Sequence, residues 1–526
     1  MFTLAVNQYV SIDPATDSGC AVFPATTLAA QYLVMPQLAT GVPGQTAAFR
    51  LGGDTILPAP PPSAPVSEVS VELSPAEQFH RFLRLGDERR SWGFAPEVGP
   101  AKSPAQSQAS ASGPPAMNSL RQFMVCATTD CSRFDRVNAR VRAVKSKVAI
   151  YVDTLAPAGG LDSVALDSIA NLFDQRLYAI DTAAFGRESD IDSNSVVLVL
   201  MTNTVNKLVT VQECNTGFVA GFFFGADLDP AFRNDSRSNK GEVFYSIVAD
   251  PAGKLSCSHP ATDVQRFVPV TFIHEFQHMI SFNQHVLMRG GTGEVLWLNE
   301  GFSHYAEELG GRSYALNPDG KVADCVIGTV ECRFYGGDLV NAYNYLDTTS
   351  NHFLLPTAGI GTLTERGAAW LFVRYVVDKY AAGSMRADWN TLTRALLGTN
   401  QTGAQNIATV TGDPFATVVS RWALTNYVTD GGTPPELQYN SWNLHAVYSS
   451  LHTQSQSTFK KFYPLVPISM AARTINLIGT LRAGSGLYLL IDQPAGDPGF
   501  TLSFTAPNGD LINSGVVPRL NVMRLQ

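Results

Sequence analysis

The chain has no run approaching the ~20 apolar residues that a bilayer-spanning helix needs, so no transmembrane segment is expected. It also lacks a basic excess: 37 Lys and Arg stand against 45 Asp and Glu, for a net charge of -8. Nucleic acids and anionic lipid surfaces are held by clustered cations, so this balance argues against both as partners. The opening stretch, MFTLAVNQYVSIDP, has no basic region followed by an apolar core and a small-residue cleavage site, so no signal peptide is read there. Cysteine is sparse, and no pair has the CxxC spacing of a zinc knuckle or a dithiol redox site.

The seven cysteines still carry information. Cys126 and Cys131 are close in sequence, as are Cys325 and Cys332, and Cys214 with Cys257 makes a third candidate pair, leaving Cys20 over. Disulfides at these places favour an oxidising compartment, hence a secreted or cell-envelope protein; buried free thiols are the alternative.

A chain of 526 residues exceeds one hydrophobic core. Residues 1–71 alternate apolar and polar positions between Gly and Pro breaks (QYLVMPQL, TAAFRLGG, PVSEVSVEL), which predicts an N-terminal β-rich domain. Residues 72–120 hold a polar helical patch, SPAEQFHRFLRLGDERRSWG, expected to turn a solvated face outward, with docking on an acidic surface or a pro-segment role as the alternatives, and then GPAKSPAQSQASASGPPA, which reads as a flexible linker. Strand and helix patterns alternate densely across 121–430, and 431–526 reads as a C-terminal β-sandwich. The expected fold class is α+β.

The chemistry is concentrated in FIHEFQHMISFNQH. His274 and His278 are four residues apart, so on a helix both imidazoles stack on one face and reach a single ion. Glu275 lies about 100° round the helix, placed to take a proton from a water beside the metal without ligating it. HExxH on a helix is a zinc-peptidase signature. The apolar residues around the trio (Val268, Val270, Phe272, Ile273, Phe276, Met279, Ile280) predict a buried helix, where unpaired imidazoles and a carboxylate would be costly. Catalytic zinc needs a third protein ligand. The pattern with a third His six residues after the second fails, because Gln284 stands there, Ser281 replaces the Gly and His285 is one place late.

Glu300, 22 residues after His278 in LWLNEGFSHYAEELG, offers another route. HEFQH followed by that segment resembles the gluzincin metallopeptidases, and most closely the hyicolysin family of secreted bacterial neutral zinc metallopeptidases. SDIDSNSVVLVLMTNTVN and SNKGEVFYSIVADP share the resemblance, which extends over roughly residues 121–430. It implies a gluzincin-type (zincin) domain in which His274, His278 and Glu300 bind Zn2+ and Glu275 is the general base. His304 and Glu307 fall on the same helix face as Glu300 and are candidates to orient a ligand histidine. Thermolysin-like gluzincins have Asp at the His304 position, so that contact is a departure. Candidates for oxyanion stabilisation are Tyr343, Tyr345, His352 and Arg366. EVFYSIV is a candidate edge strand for pairing with substrate, and the acidic turn DIDSN at 190–194 reads either as a polar turn or as a calcium loop.

The leading reading is a secreted zinc endopeptidase acting on protein or peptide substrates. An aminopeptidase of the gluzincin group is the alternative, though a Gly-x-Met-Glu-Asn type element to hold a free amino terminus is missing. A binding or adhesion protein with an inert zinc site is the third reading, and the intact Glu275 speaks against it.

Overall fold

The computed structural model describes residues 3–16, 19–54, 73–96, 113–356, 361–432 and 434–526. Most of the PVSEVSVEL segment and of the stretch read as a linker lies outside the described residues. Near the start, alternating apolar positions become strands β1 (Tyr9–Ile12), β2 (Cys20–Phe23), β3 (Ala30–Leu38) and β4 (Thr46–Gly52). Helix α1 (Pro75–Arg89) follows, opened by a capping box in which the Ser74 and Glu77 side chains accept from each other's backbone N–H groups.

The next sheet contains β5 (Leu120–Cys126), β6 (Phe134–Val144), β7 (Val148–Asp153), β8 (Val197–Met201), β9 (Gly221–Phe223) and β10 (Val243–Ser246), in the order β5-β6-β7-β8-β10-β9. β7, β8 and β10 run parallel, and β9 closes one side antiparallel to β10. α2 (Ser163–Leu172) and α3 (Tyr178–Phe185) form the crossover from β7 to β8, and α4 (Asn203–Asn206) follows β8. The VLVLM of β8 is buried at every position because both of its edges are paired and both faces covered.

Eight helices come next: α5 (Ala261–Phe282), α6 (Leu296–Arg312), α7 (Val330–Asp347), α8 (Leu363–Tyr380), α9 (Arg386–Leu397), α10 (Gly403–Thr411), α11 (Phe415–Val428) and α12 (Leu444–Gln454). α5 is buried without interruption from Phe272 to Phe282, as its all-round apolar composition requires. Phe272 packs on Phe244 of β10 and on Phe173, with ring centroids 4.8 Å and 3.9 Å apart, which fixes α5 beneath the sheet. α6 packs on α5, and α7 and α8 pack on α6 and on each other. Gly367 sets how closely α7 and α8 approach: a Cβ there would lie 2.2 Å from the Asn341 backbone.

The chain ends with β11 (Ile468–Ala471), β12 (Asn476–Arg482), β13 (Leu489–Gln493), β14 (Phe500–Thr505) and β15 (Pro518–Arg524). These strands correct the expected layout. The sheets run β1-β15-β3-β13-β11 and β12-β4-β14-β2, so the N-terminal β-rich region and the C-terminal β-sandwich are interleaved halves of one sandwich. β3 lies between β15 and β13, and Phe23 stacks on Phe500 at 4.6 Å inside a shared core. Four short strands alone leave both edges and a whole apolar face bare, and the partners that cover them come from more than 400 residues away. The boundary near 430 also moves. Trp442 is fully buried with its Nε1 donating to Glu308 of α6 at 2.9 Å, so the chain through α12 belongs with the helical layer.

Candidate metal centre

Helical spacing puts His274 and His278 of α5 on one face, and α6 brings Glu300 up to them. The two Nε2 atoms are 3.2 Å apart. Glu300 Oε2 is 3.5 Å from His274 Nε2, and Glu300 Oε1 is 3.5 Å from His278 Nε2. Four-coordinate zinc with ligands at ~2.0–2.1 Å has donor–donor edges of ~3.3 Å, so the two imidazole nitrogens and the two oxygens of the Glu300 carboxylate lie at spacings close to those a zinc ion needs. All three residues are buried, and Glu300 Oε2 has no hydrogen-bond partner. That is the environment in which a divalent cation relieves an otherwise costly arrangement.

The charges agree with a metal-binding role. Burial lowers His278 to about 3, aided by the Arg84 charge, which keeps its imidazole neutral. Burial works against ionisation of Glu300, but Arg366, His274 and His278 outweigh it and hold the carboxyl well below the usual range. For His274, burial is outweighed by the neighbouring Glu300 and Glu307 carboxylates, which take it up to about 9. A cation held by these groups would compete with the proton on His274.

Glu275 sits beside the donor set and is 1% exposed. Its Oε2 accepts from Phe223 N at 2.9 Å and from Arg84 Nη2 at 3.2 Å. Burial pushes its carboxyl up, against the lowering charges of Arg84 and His274. Glu307 Oε1 is 2.7 Å from His274 Nδ1, the ring nitrogen turned away from the donor set. His304 Nδ1 lies 3.1 Å from Glu307 Oε1 and 2.8 Å from Asp338 Oδ1. Burial pushes Asp338 up to about 8, whereas the Glu307 and Asp338 charges raise His304 to about 10 against its burial. His274, His304 and Glu307 also form a second group close enough to share an ion. His274 Nδ1 is already engaged by Glu307, so the set with His278 is the better donor site.

Of the four oxyanion candidates, only Arg366 reaches this place, with Nη1 3.8 Å from Glu300 Oε2. The other three are used elsewhere: Tyr343 OH accepts from Lys461 N, Tyr345 OH is 2.9 Å from Ser485 Oγ, and His352 Nε2 is 3.2 Å from Thr348 Oγ1. His285 faces Glu294 Oε2 at 3.8 Å, outside the donor set. EVFYSIV supplies β10, which is paired on both sides, so the free edge belongs to β9 instead. DIDSN gathers Asp190, Asp192 and the buried Glu242, with Arg121 Nη1 3.8 Å from Asp192 Oδ2 supplying positive charge.

Three residues here escape the sequence reading: His80 and Arg84 of α1, and Asp338 of α7. α1 was expected to present a solvated face. Instead Phe79, Leu83 and Arg84 are buried, and His80 Nδ1 stands 4.0 Å from Glu275 Oε1. The available signal was polar residues at i and i+4, positions 80 and 84, beside the apolar stripe of an amphipathic helix.

The cysteines pair as Cys126–Cys131, Cys214–Cys257 and Cys325–Cys332, with Cα separations of 4.9, 5.7 and 5.2 Å; Cys20 is free and exposed. Among the described residues no helix is long and apolar enough to cross a membrane.

No protein-family model matches the chain. Among curated proteins, the neutral metalloprotease ShpI of Staphylococcus hyicus is 28% identical over 147 residues. The match covers 27% of this chain and 30% of that protein, a distant likeness to a metalloprotease over less than a third of its length.

Proposed function

We propose that the chain is a zinc-dependent endopeptidase of the gluzincin group, akin to the hyicolysin family, acting outside the cytoplasm on protein or peptide substrates. The observation that carries this reading is the pair His274 Nε2 and His278 Nε2, 3.2 Å apart, with Glu300 Oε2 3.5 Å from the first and Glu300 Oε1 3.5 Å from the second, flanked by Glu275. The distant likeness to a metalloprotease supports it, and three cysteine pairs at bonding distance are compatible with an oxidising compartment.

A bound zinc ion would polarise the scissile carbonyl and acidify a water molecule. Glu275 stands next to the donor set with an oxygen, Oε1, that accepts no hydrogen bond among the described residues, and it takes the water proton and passes it to the leaving amine. Arg366, with Nη1 3.8 Å from Glu300 Oε2, places a fixed positive charge at the donor set that would offset negative charge developing on the carbonyl oxygen. Glu307 holds the His274 ring through Nδ1, leaving Nε2 for the metal.

The test is metal content together with hydrolysis of casein and of a peptide blocked at both ends. Chelator-stripped protein should be inactive and recover with zinc. Glu275→Gln should keep its metal and lose 10²–10⁴-fold in kcat, the range for a general acid–base group. Full activity after verified zinc removal overturns the reading, and cleavage that requires a free amino terminus turns it to an aminopeptidase.

A further inference from the structure

The two walls of the proposed peptide cleft are already bridged by a helix of the same chain. β9 is the outer strand of the six-stranded sheet, and an extended peptide backbone pairs with a sheet at such an edge. Phe223 shows which way that edge faces: its N–H goes to Glu275 Oε2 and its carbonyl accepts from Arg84 Nη2 at 3.1 Å. α1 therefore uses the edge carbonyl that a substrate amide would use. Phe79 of α1 meets the Phe222 ring edge-on, 4.8 Å between centroids, adding an apolar contact on the same strand.

On the opposite wall, Glu88 Oε2 accepts from Leu296 N at the start of α6 at 3.4 Å. The contact is close there too, since a Cβ on Gly293 would lie 2.6 Å from Asp87 O. Between the walls, the Arg84 guanidinium is 3.2 Å from Glu275 Oε2, and His80 Nδ1 is 4.0 Å from Oε1. Arg84 is 1% exposed, as is Glu275. While α1 lies there, the Phe223 carbonyl and Glu275 Oε2 are engaged by Arg84, so a peptide must compete with the helix for both.

We propose that α1 is an internal occupant of the peptide cleft and that the chain is latent until the helix is displaced. This rests on the peptidase reading for the meaning of latency; the occupancy itself can be measured without catalysis. Arg84 also faces Asp87 Oδ2 of α1 itself at 3.0 Å, so removing the arginine leaves two buried carboxylates without their cation, and its pairing with Glu275 ties the helix to the site. The arrangement is specific to a helix that places Arg84 opposite Glu275, and it gives a single handle for release.

The experiment uses the full zinc-loaded chain, Arg84→Gln, and Phe79→Ala combined with Arg84→Gln. A fluorescein-labelled synthetic peptide of residues 73–96 is titrated into each by anisotropy, and each is assayed on a doubly blocked, internally quenched peptide. Zinc content and circular dichroism are checked throughout. The variants should cleave at least tenfold faster than the parent and bind the labelled peptide at least tenfold more tightly, and added peptide should slow them again. An unchanged or slower rate with zinc and fold retained, and no gain in peptide binding, would falsify the proposal and make α1 a permanent part of the working site. If the variants gain the peptide but no chain cleaves any substrate, occupancy stands and the peptidase reading fails. Should the double variant not fold, Arg84→Gln alone makes the same comparison.

Discussion

His274 depends on more than its spacing from His278. Its Nδ1 is fixed by Glu307, which in turn faces His304, which faces Asp338, so a chain of alternating charge runs from the donor set into α7. In the thermolysin-like pattern an Asp occupies the His304 position; here the carboxylate that reaches the His274 ring comes from Glu307, one helical turn further on. Glu307→Gln keeps the shape but removes the charge that orients the ring, and zinc affinity should fall 10–100-fold, measured by competition with a chromophoric chelator. Asp338→Asn should weaken it less, because it acts through His304. The HExxH residues were legible because their relation is local, fixed by the pitch of one helix. Asp338 and Arg84 were not, since their partners are 34 and 191 positions away and no periodicity links them.

Helices and strands were legible as elements, but their edges and faces were not. EVFYSIV read as a strand and is one, yet its neighbour β9 is only three residues long, too short to give a period, and takes the edge in its place. α1 has a clear amphipathic pattern, though what its apolar face meets is a tertiary matter. Its Ser74 cap should be worth ~1 kcal/mol to the helix, and Ser74→Ala should lower hydrogen-exchange protection of α1 selectively. The approach to α6 is held by Glu294, whose carboxylate accepts from Gly403 N at 2.7 Å, Val295 N at 2.8 Å and Asn406 Nδ2 at 3.1 Å. Burial pushes this carboxyl from 4.5 up to about 7. The folded chain therefore binds that proton more tightly than the unfolded one, so the linked stability is present in full below pH 4.5 and is lost as the pH rises through about 7. Replacing it by Gln should flatten that part of the stability–pH curve by up to ~3 kcal/mol, read from denaturant melts across pH 4–8.

The whole chain closes on itself through the sandwich. β3 carries β15 on one side and β13 on the other, and the shared core mixes Phe23, Val34 and Leu51 with Leu489, Phe500 and Val522. Deleting residues 1–54 should leave the 468–526 segment unfolded, with loss of the β signal by circular dichroism and fast amide exchange there. A C-terminal sandwich that folds alone would keep both. Sequence by itself determined what is set by near neighbours: the amphipathic strands, the buried α5, the four-residue histidine spacing and the short cysteine intervals. Only the tertiary structure decided which strands pair across the length of the chain, that Glu307 rather than residue 304 grips His274, and that α1 lies over Glu275. Local pattern records which face of an element is apolar, whereas the partner of that face is chosen by packing the whole chain at once.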